Sequence, residues 1–141
     1  MMVNPSKSQE INILASDADW AWPVAVRRIF QPRGVNMMVA KNAGEFVNIL
    51  HRKRIHSAIV DMESQWANGL ATVKILKTEN PLLPCLLLSS STEQKLLGEA
   101  LELNVFSVIS KPVSMKILNE QLNRLFIKKY NLNIFGEYIA G

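Results

Sequence analysis

Polar side chains that could act together on phosphoryl groups stand at the ends of four apolar segments of this 141-residue chain. Asp17 and Asp19 follow the first segment, Asp61 ends the third, and Ser89 and Lys111 follow the fourth and fifth. Clustered carboxylates repel one another unless a cation lies among them, and hard oxygen donors at a water-accessible position suit Mg²⁺. A magnesium ion beside a lysine can bind phosphoryl groups and assist their transfer. These residue types therefore predict a phosphoryl site, provided the fold brings the segment ends together.

The elements that must position these side chains alternate regularly along the chain. Short apolar runs predict strands, and apolar residues spaced three and four apart predict helices between them. The predicted strands cover residues 11–15, 35–40, 57–62, 82–88 and 105–109. The first two predicted helices cover residues 20–30 and 42–54, and the third ends before Pro81. The fourth is capped within residues 89–92 and runs to 103, and the fifth begins with Ser114 as its cap.

This alternation predicts a parallel sheet, because each helix carries the chain back to the end of the sheet where the previous strand began, so that the next strand runs parallel to it. We predict an α/β fold, a flavodoxin-like doubly wound five-stranded parallel sheet of order 2-1-3-4-5 with helices on both faces. In that order the first and third strands are neighbours, and their carboxyl ends flank the crevice where ligands bind. The polar residues at the strand ends are therefore expected to converge.

The pattern resembles the receiver domain of two-component response regulators, from Ile11 to about Lys129. In that family an acidic pair ends the first strand, a phosphorylated aspartate ends the third, a Ser or Thr ends the fourth and a Lys-Pro follows the fifth. Asp61, Ser89 and Lys111 match the last three of these features, with Pro112 after the lysine. Gly69, eight residues after Asp61, matches a position where the family usually has glycine.

The resemblance implies that Asp61 accepts a phosphoryl group from a histidine kinase or phosphotransfer protein. It implies that Mg²⁺ is held by Asp17, Asp61 and the backbone carbonyl of Glu63, with Asp19 as a further candidate ligand. Lys111 and Ser89 would bind the phosphoryl oxygens. The domain would be a phosphoacceptor signalling domain and not an enzyme.

The implied output is a change in the surface formed by the fourth helix, fifth strand and fifth helix. Its partner would be a downstream protein or a fused output domain, and Leu97 and Leu101 also suggest a homodimer through the fourth and fifth helices. No direct binding to nucleic acid or membrane is expected.

Three positions depart from the family pattern. Counting back from Asp61, Asp17 matches the second acid of the pair, so Ser16 replaces the first. Val108 stands where many receivers carry a switching aromatic residue, and Gln65 replaces a common proline. These departures support an alternative, a degenerate receiver that binds partners without being phosphorylated.

A second alternative belongs to a different class. Asp17-Ala18-Asp19 after an apolar strand also resembles the first motif of haloacid-dehalogenase-type phosphatases, in which the first aspartate is the nucleophile. Those enzymes need acidic residues beyond the lysine to hold Mg²⁺. After Lys111 this chain has only Glu120 and Glu137, one in a predicted helix and one in the tail, which argues against this interpretation.

Composition and charge fit a single water-soluble domain. The chain is 48% apolar and 20% charged, with a net charge of +4. The basic clusters 51–54 and 128–129 are short, lack interleaved aromatic residues and fall at predicted helix ends, which argues against a nucleic-acid surface. No apolar run approaches the ~20 residues that span a bilayer, and residues 1–10 do not resemble a signal peptide. A cytoplasmic location is therefore expected.

The remaining predictions concern the domain limits and three titratable residues. Residues 1–10 are predicted to be a flexible N-terminus, 11–129 the receiver domain, and 130–141 a tail or the start of a linker. Cys85, the single cysteine, is predicted to be a buried small apolar residue. His51 and His56 lack metal-ligand spacing and are predicted to lie on the surface.

Overall fold

The computed structural model describes residues 10–16, 22–64 and 68–136, apart from the side chains of residues 22, 23, 25 and 29. Its five strands are all parallel and run in the order β2-β1-β3-β4-β5, which confirms the predicted fold class. The strands are β1 (Ile11–Ser16), β2 (Val35–Ala40), β3 (Ser57–Asp61), β4 (Cys85–Ser89) and β5 (Ser107–Ser110). The helices between and after them are α1 (Trp22–Phe30), α2 (Ala43–Arg52), α3 (Gly69–Glu79), α4 (Gln94–Glu102) and α5 (Met115–Tyr130).

The sheet is covered on both faces, which explains why its central strands are apolar at almost every position. Alternate residues of one strand enter different cores: Ile59 joins the core beneath α1 and α5, whereas its neighbours Ala58 and Val60 join the core beneath α2, α3 and α4. The same alternation divides Leu86 from Leu87 in β4. The central strands are thereby fixed from both sides, and so are the residues at their carboxyl ends.

Several element boundaries differ from the predictions. β4 begins at Cys85 and not at residue 82, because Pro84 cannot donate a ladder hydrogen bond and Leu82 is 91% exposed in the preceding turn. α4 is preceded by Glu93, whose side chain makes no capping hydrogen bond, so the predicted cap within residues 89–92 is wrong. The predicted cap of α5 is confirmed, since the Ser114 hydroxyl accepts a hydrogen bond from the N–H of Ile117.

The prediction that His56 lies on the surface is wrong, whereas His51 is exposed as predicted. His56 is 6% exposed at the amino edge of the sheet, where its Nδ1 accepts the N–H of Asn12 at 3.1 Å. The Tyr130 ring packs edge-on against the imidazole, and its hydroxyl donates to the His56 carbonyl at 2.6 Å. The sequence showed that His56 precedes a strand, but not that the end of α5 covers it.

Cys85 is fully buried, as predicted, and burial raises the pKa of its thiol to about 11. A thiol with that pKa stays protonated near neutral pH. Cys85 is therefore a packing residue of β4.

Residues 131–136 fold back onto the domain after α5. The turn begins at Asn131, whose φ of 53° reverses the chain. Phe135 is 1% exposed and packs against Phe30 of α1 and Phe126 of α5, with ring centroids 4.8 and 4.9 Å away. The Arg33 side chain donates to the Phe135 carbonyl at 2.6 Å. This segment thus contributes to the core between α1 and α5.

None of the described helices is long and apolar enough to cross a membrane.

Candidate functional site

Asp61 is held at the carboxyl edge of the sheet by both neighbouring strands. It is the last residue of β3 and is 1% exposed. Its backbone N–H donates to the hydroxyl of Ser16, the last residue of β1, at 2.8 Å. The N–H of Met62 donates to Leu88 of β4 at 2.7 Å. The backbone around Asp61 is thereby fixed before any ligand binds.

One oxygen of the Asp61 carboxylate receives two hydrogen bonds. Oδ1 accepts from the Lys111 ammonium at 2.6 Å and from the Glu63 N–H at 2.9 Å. Lys111 follows β5, and its own N–H donates to the Ser89 carbonyl at 2.9 Å, which fixes the start of this side chain. Burial lowers the pKa of Lys111, but its contacts with Asp61 and Glu63 outweigh burial, so the pKa is raised. The lysine is therefore a fixed positive charge beside Asp61.

Glu63 brings a second carboxylate to the same ammonium. Its Oε1 lies 3.0 Å from Lys111 Nζ and accepts the N–H of Ser90 at 3.1 Å. Burial raises the pKa of Glu63, but the hydrogen bonds from Lys111 and Ser90 lower it below its usual range. The backbone carbonyl of Glu63 was expected to hold Mg²⁺, but the contact between its side chain and Lys111 was not predicted. The sequence feature that could have indicated this contact is an acid two residues after Asp61, in a loop that follows the same end of the sheet as Lys111.

Ser89 ends β4, one residue beyond the partner of Asp61 in the sheet register. Its side chain is fully buried, and its hydroxyl accepts the N–H of Ser91 at 3.1 Å. The hydroxyl thus shapes the turn between β4 and α4. The structure places Ser89 at the same sheet edge as Asp61 and Lys111.

Gly69 allows the start of α3 to lie close to the end of β3. It begins α3, and its N–H donates to the Met62 carbonyl at 3.0 Å. A Cβ at this position would lie 2.5 Å from the Met62 Cα and 2.9 Å from the Asp61 carbonyl oxygen. Both contacts are to backbone atoms, which cannot rotate away. Glycine is therefore required by the close approach of α3 to the end of β3.

The proposed Mg²⁺ ligands are only partly within the described residues. Asp17 and Asp19 lie outside them, as does Gln65. No group of three or more His, Cys, Asp and Glu side chains suited to a metal occurs among the described residues. The described donors, the Asp61 carboxylate and the nearby oxygens of Glu63, are hard oxygen atoms of the type that Mg²⁺ prefers. The donor chemistry present therefore fits this ion.

The structure shows what Ser16 and Val108, two of the departures from the family pattern, contact. Ser16 is fully buried and uses its hydroxyl to orient the backbone of Asp61, so the position of the missing acid is occupied by a structural contact. Val108 is half-buried and packs against the core beneath α2, α3 and α4. A valine lacks the ring that would report the state of Asp61 by rotating between two positions.

Comparison with known proteins agrees with this geometry. The response regulator receiver domain family matches residues 13–123. The transcriptional regulatory protein ZraR is 24% identical over 115 residues in Salmonella typhimurium and 20% identical over 123 residues in Escherichia coli K12. These matches cover 82% and 87% of the chain, but only 26% and 28% of ZraR. The chain thus spans about a quarter of the length of these curated relatives.

Solved structures show the same fold at low sequence identity. The receiver domain of the Francisella response regulator 1452 aligns with a TM-score of 0.73 and 21% identity, covering 84% of this chain and 98% of that one. A CheY-like receiver domain protein from Methanospirillum hungatei aligns with a TM-score of 0.77 and 18% identity, covering 86% and 97%. Together with the match over residues 13–123, these findings show that the chain belongs to the response regulator receiver domain family, a family of signalling domains.

Proposed function

We propose that this domain accepts a phosphoryl group on Asp61 from a histidine kinase or phosphotransfer protein and thereby changes a partner-binding surface. The observation that carries the proposal is the contact of 2.6 Å between the Asp61 carboxylate and the Lys111 ammonium at the carboxyl edge of the sheet. This contact joins residues 50 positions apart in sequence. It provides a fixed nucleophile with a fixed positive charge beside it, which is what transfer of an anionic group requires.

In the proposed reaction a carboxylate oxygen of Asp61 attacks the phosphorus of a phosphohistidine. An O–P bond forms while the N–P bond breaks, and the donor nitrogen keeps the electron pair of the broken bond. Lys111 stabilises the negative charge on the phosphoryl oxygens through the transition state. Mg²⁺, when held by Asp17, Asp61 and the backbone carbonyl of Glu63, with Asp19 as a further candidate, would supply additional positive charge.

The response would begin in the loop after β4. The Ser89 hydroxyl, now bound to the Ser91 N–H, would hydrogen-bond a phosphoryl oxygen and draw the start of α4 towards Asp61. The surface formed by α4, β5 and α5 would then favour a downstream protein, a fused output domain or a second copy of the chain. We place this signalling in the cytoplasm.

A degenerate receiver that binds partners without phosphorylation is the second candidate. Two observations favour it: Ser16 stands in place of an acid and is used to hold the Asp61 backbone, and Val108 provides no rotating ring. In that case the ion pair between Asp61 and Lys111 would serve only to maintain the loop structure. The family match leaves the haloacid-dehalogenase-type phosphatase without support.

The proposal is tested by measuring the intact mass of the protein after incubation with Mg²⁺ and acetyl phosphate. A gain of one phosphoryl group is expected for the wild type, with no gain for Asp61→Asn or without Mg²⁺. Folded wild-type protein that gains no mass and shows no Mg²⁺ binding by calorimetry would instead support the degenerate receiver.

A further inference from the structure

The two donors that hold Glu63 define a position for an anion beside Asp61. Lys111 Nζ and the Ser90 N–H approach the same carboxylate oxygen of Glu63, at 3.0 and 3.1 Å. The same Lys111 nitrogen lies 2.6 Å from Asp61 Oδ1. An ammonium and a backbone N–H therefore converge on one point next to the proposed phosphoacceptor, and an oxygen of this chain's own occupies that point.

A phosphoryl group on Asp61 would require the same donors. Its added oxygens carry negative charge and would lie next to the Asp61 carboxylate, where the Lys111 ammonium and the Ser90 N–H are placed to bind them. Two anions cannot share these donors at low cost, because like charges at contact distance repel strongly where water is partly excluded. Glu63 and the phosphoryl group therefore compete.

The Glu63 carboxylate is exposed enough to move out of this anion position. Its side chain is 42% exposed, whereas Asp61 is 1% exposed, so the Glu63 carboxylate can rotate into water while Asp61 stays in place. Its contacts join two loops, one after β3 and the other after β4. Release of Glu63 would therefore free the loop that leads into α4.

We propose that the Glu63 carboxylate is an internal stand-in for the phosphoryl group, which occupies the anion position formed by Lys111 and the Ser90 N–H and must be displaced when Asp61 is phosphorylated. This inference rests on the proposed function for its role in signalling. Glu63 slows entry of the phosphoryl group and holds the loop after β4 in place until that group arrives.

The first test compares initial phosphorylation rates by acetyl phosphate in the wild type, Glu63→Ala and a matched control, Glu93→Ala, which removes an exposed acid near the start of α4. Because partly exposed ion pairs contribute little, we expect Glu63→Ala to be phosphorylated about two to five times faster than wild type. Glu93→Ala should match the wild type. Equal rates for all three proteins would overturn the inference while leaving the proposed function intact.

A second test does not depend on phosphorylation. In the Asp61→Asn background, inorganic phosphate is titrated while the amide resonance of Ser90 is followed by NMR, with and without Glu63→Ala. We expect tighter phosphate binding when Glu63 is removed. Equal affinity, or no phosphate-dependent shift in either protein, would overturn the inference. If the first test shows no phosphorylation of any protein, the proposed function fails, and this titration still decides whether Glu63 occupies an anion site.

Discussion

At the scale of single residues, position 69 requires glycine because α3 begins there against the end of β3. We expect Gly69→Ala to destabilise the domain by roughly 1–3 kcal/mol, because the new Cβ would meet backbone atoms of Met62 and Asp61 at 2.5 and 2.9 Å. Urea denaturation measures the free energy of unfolding directly. Since α3 would have to move away from β3, phosphorylation of Asp61 should also slow.

Gly98 provides the matched control for this substitution. It lies within α4, and a Cβ there would meet no heavy atom within 4 Å other than those of its chain neighbours and its own helix backbone. Gly98→Ala should therefore leave stability unchanged or raise it by about 0.5–1 kcal/mol, because alanine is the better helix former. Equal losses for the two variants would show that the close approach of α3 to Asp61 is not what requires glycine at position 69.

His56 predicts a pH dependence of stability. Burial and the nearby Arg54 charge lower the pKa of His56 below 6.5, and its Nδ1 must be unprotonated to accept the Asn12 N–H. The unfolded chain therefore takes up the proton at a higher pH than the folded protein does. Stability contributed by neutral His56 is fully present above about pH 6.5 and is lost as the pH falls towards the lowered pKa.

The measurement is the free energy of unfolding at pH 7.5 and pH 5 for the wild type and His56→Asn. Asparagine retains an acceptor near Nδ1 but does not titrate. We expect a smaller loss of stability at pH 5 in the variant, with His51→Asn, an exposed position, as the control. The same loss in wild type and His56→Asn would contradict this account of the buried imidazole.

The sequence predicted the positions of some site residues and not of others. Asp61 and Lys111 could be placed together because the strand order follows from the alternation of elements, and strand ends in a parallel sheet share one edge. The side-chain position of Glu63 could not, because it depends on how two loops meet. The burial of His56 was missed for a similar reason, since α5 and Tyr130 cover it from a distant part of the chain.

At the scale of elements, the segment 131–136 should stabilise the fold. Phe135→Ala should lower the free energy of unfolding by about 3 kcal/mol, because it leaves a cavity between Phe30 and Phe126. Urea or thermal denaturation measures this change. Asn133→Ala is the control within the same segment, since Asn133 is exposed. A loss below about 0.5 kcal/mol for Phe135→Ala would mean that the segment is not part of the stable core.

Elements were predicted better in their interiors than at their ends. The central strands were clear because both faces of the sheet bury apolar side chains. The start of β4 was set instead by Pro84 and by an exposed Leu82, and α4 began without the predicted cap. The role of residues 131–136 was left open, because a short irregular segment has no periodicity that shows which groove it fills.

At the scale of the whole molecule, the proposed switch predicts a change in assembly. Leu97 and Leu101 are 40% and 74% exposed and lie one turn apart on α4. If α4 forms a dimer surface after phosphorylation, sedimentation velocity should show a monomer that shifts towards a dimer with Mg²⁺ and acetyl phosphate. Leu101→Lys should prevent the shift. Val24→Lys, which likewise replaces an exposed apolar residue with lysine but lies on α1, should not. A monomer under both conditions would contradict the predicted homodimer.

The central claim, that Asp61 is the phosphoacceptor, is tested most directly by locating the modified residue. After incubation with acetyl phosphate and Mg²⁺, reduction with borohydride converts an aspartyl phosphate to homoserine, which peptide sequencing by mass spectrometry can place in the chain. We predict homoserine at position 61 and at no other aspartate. Homoserine at Asp17 or Asp19, or none in folded protein, would contradict the assignment of Asp61.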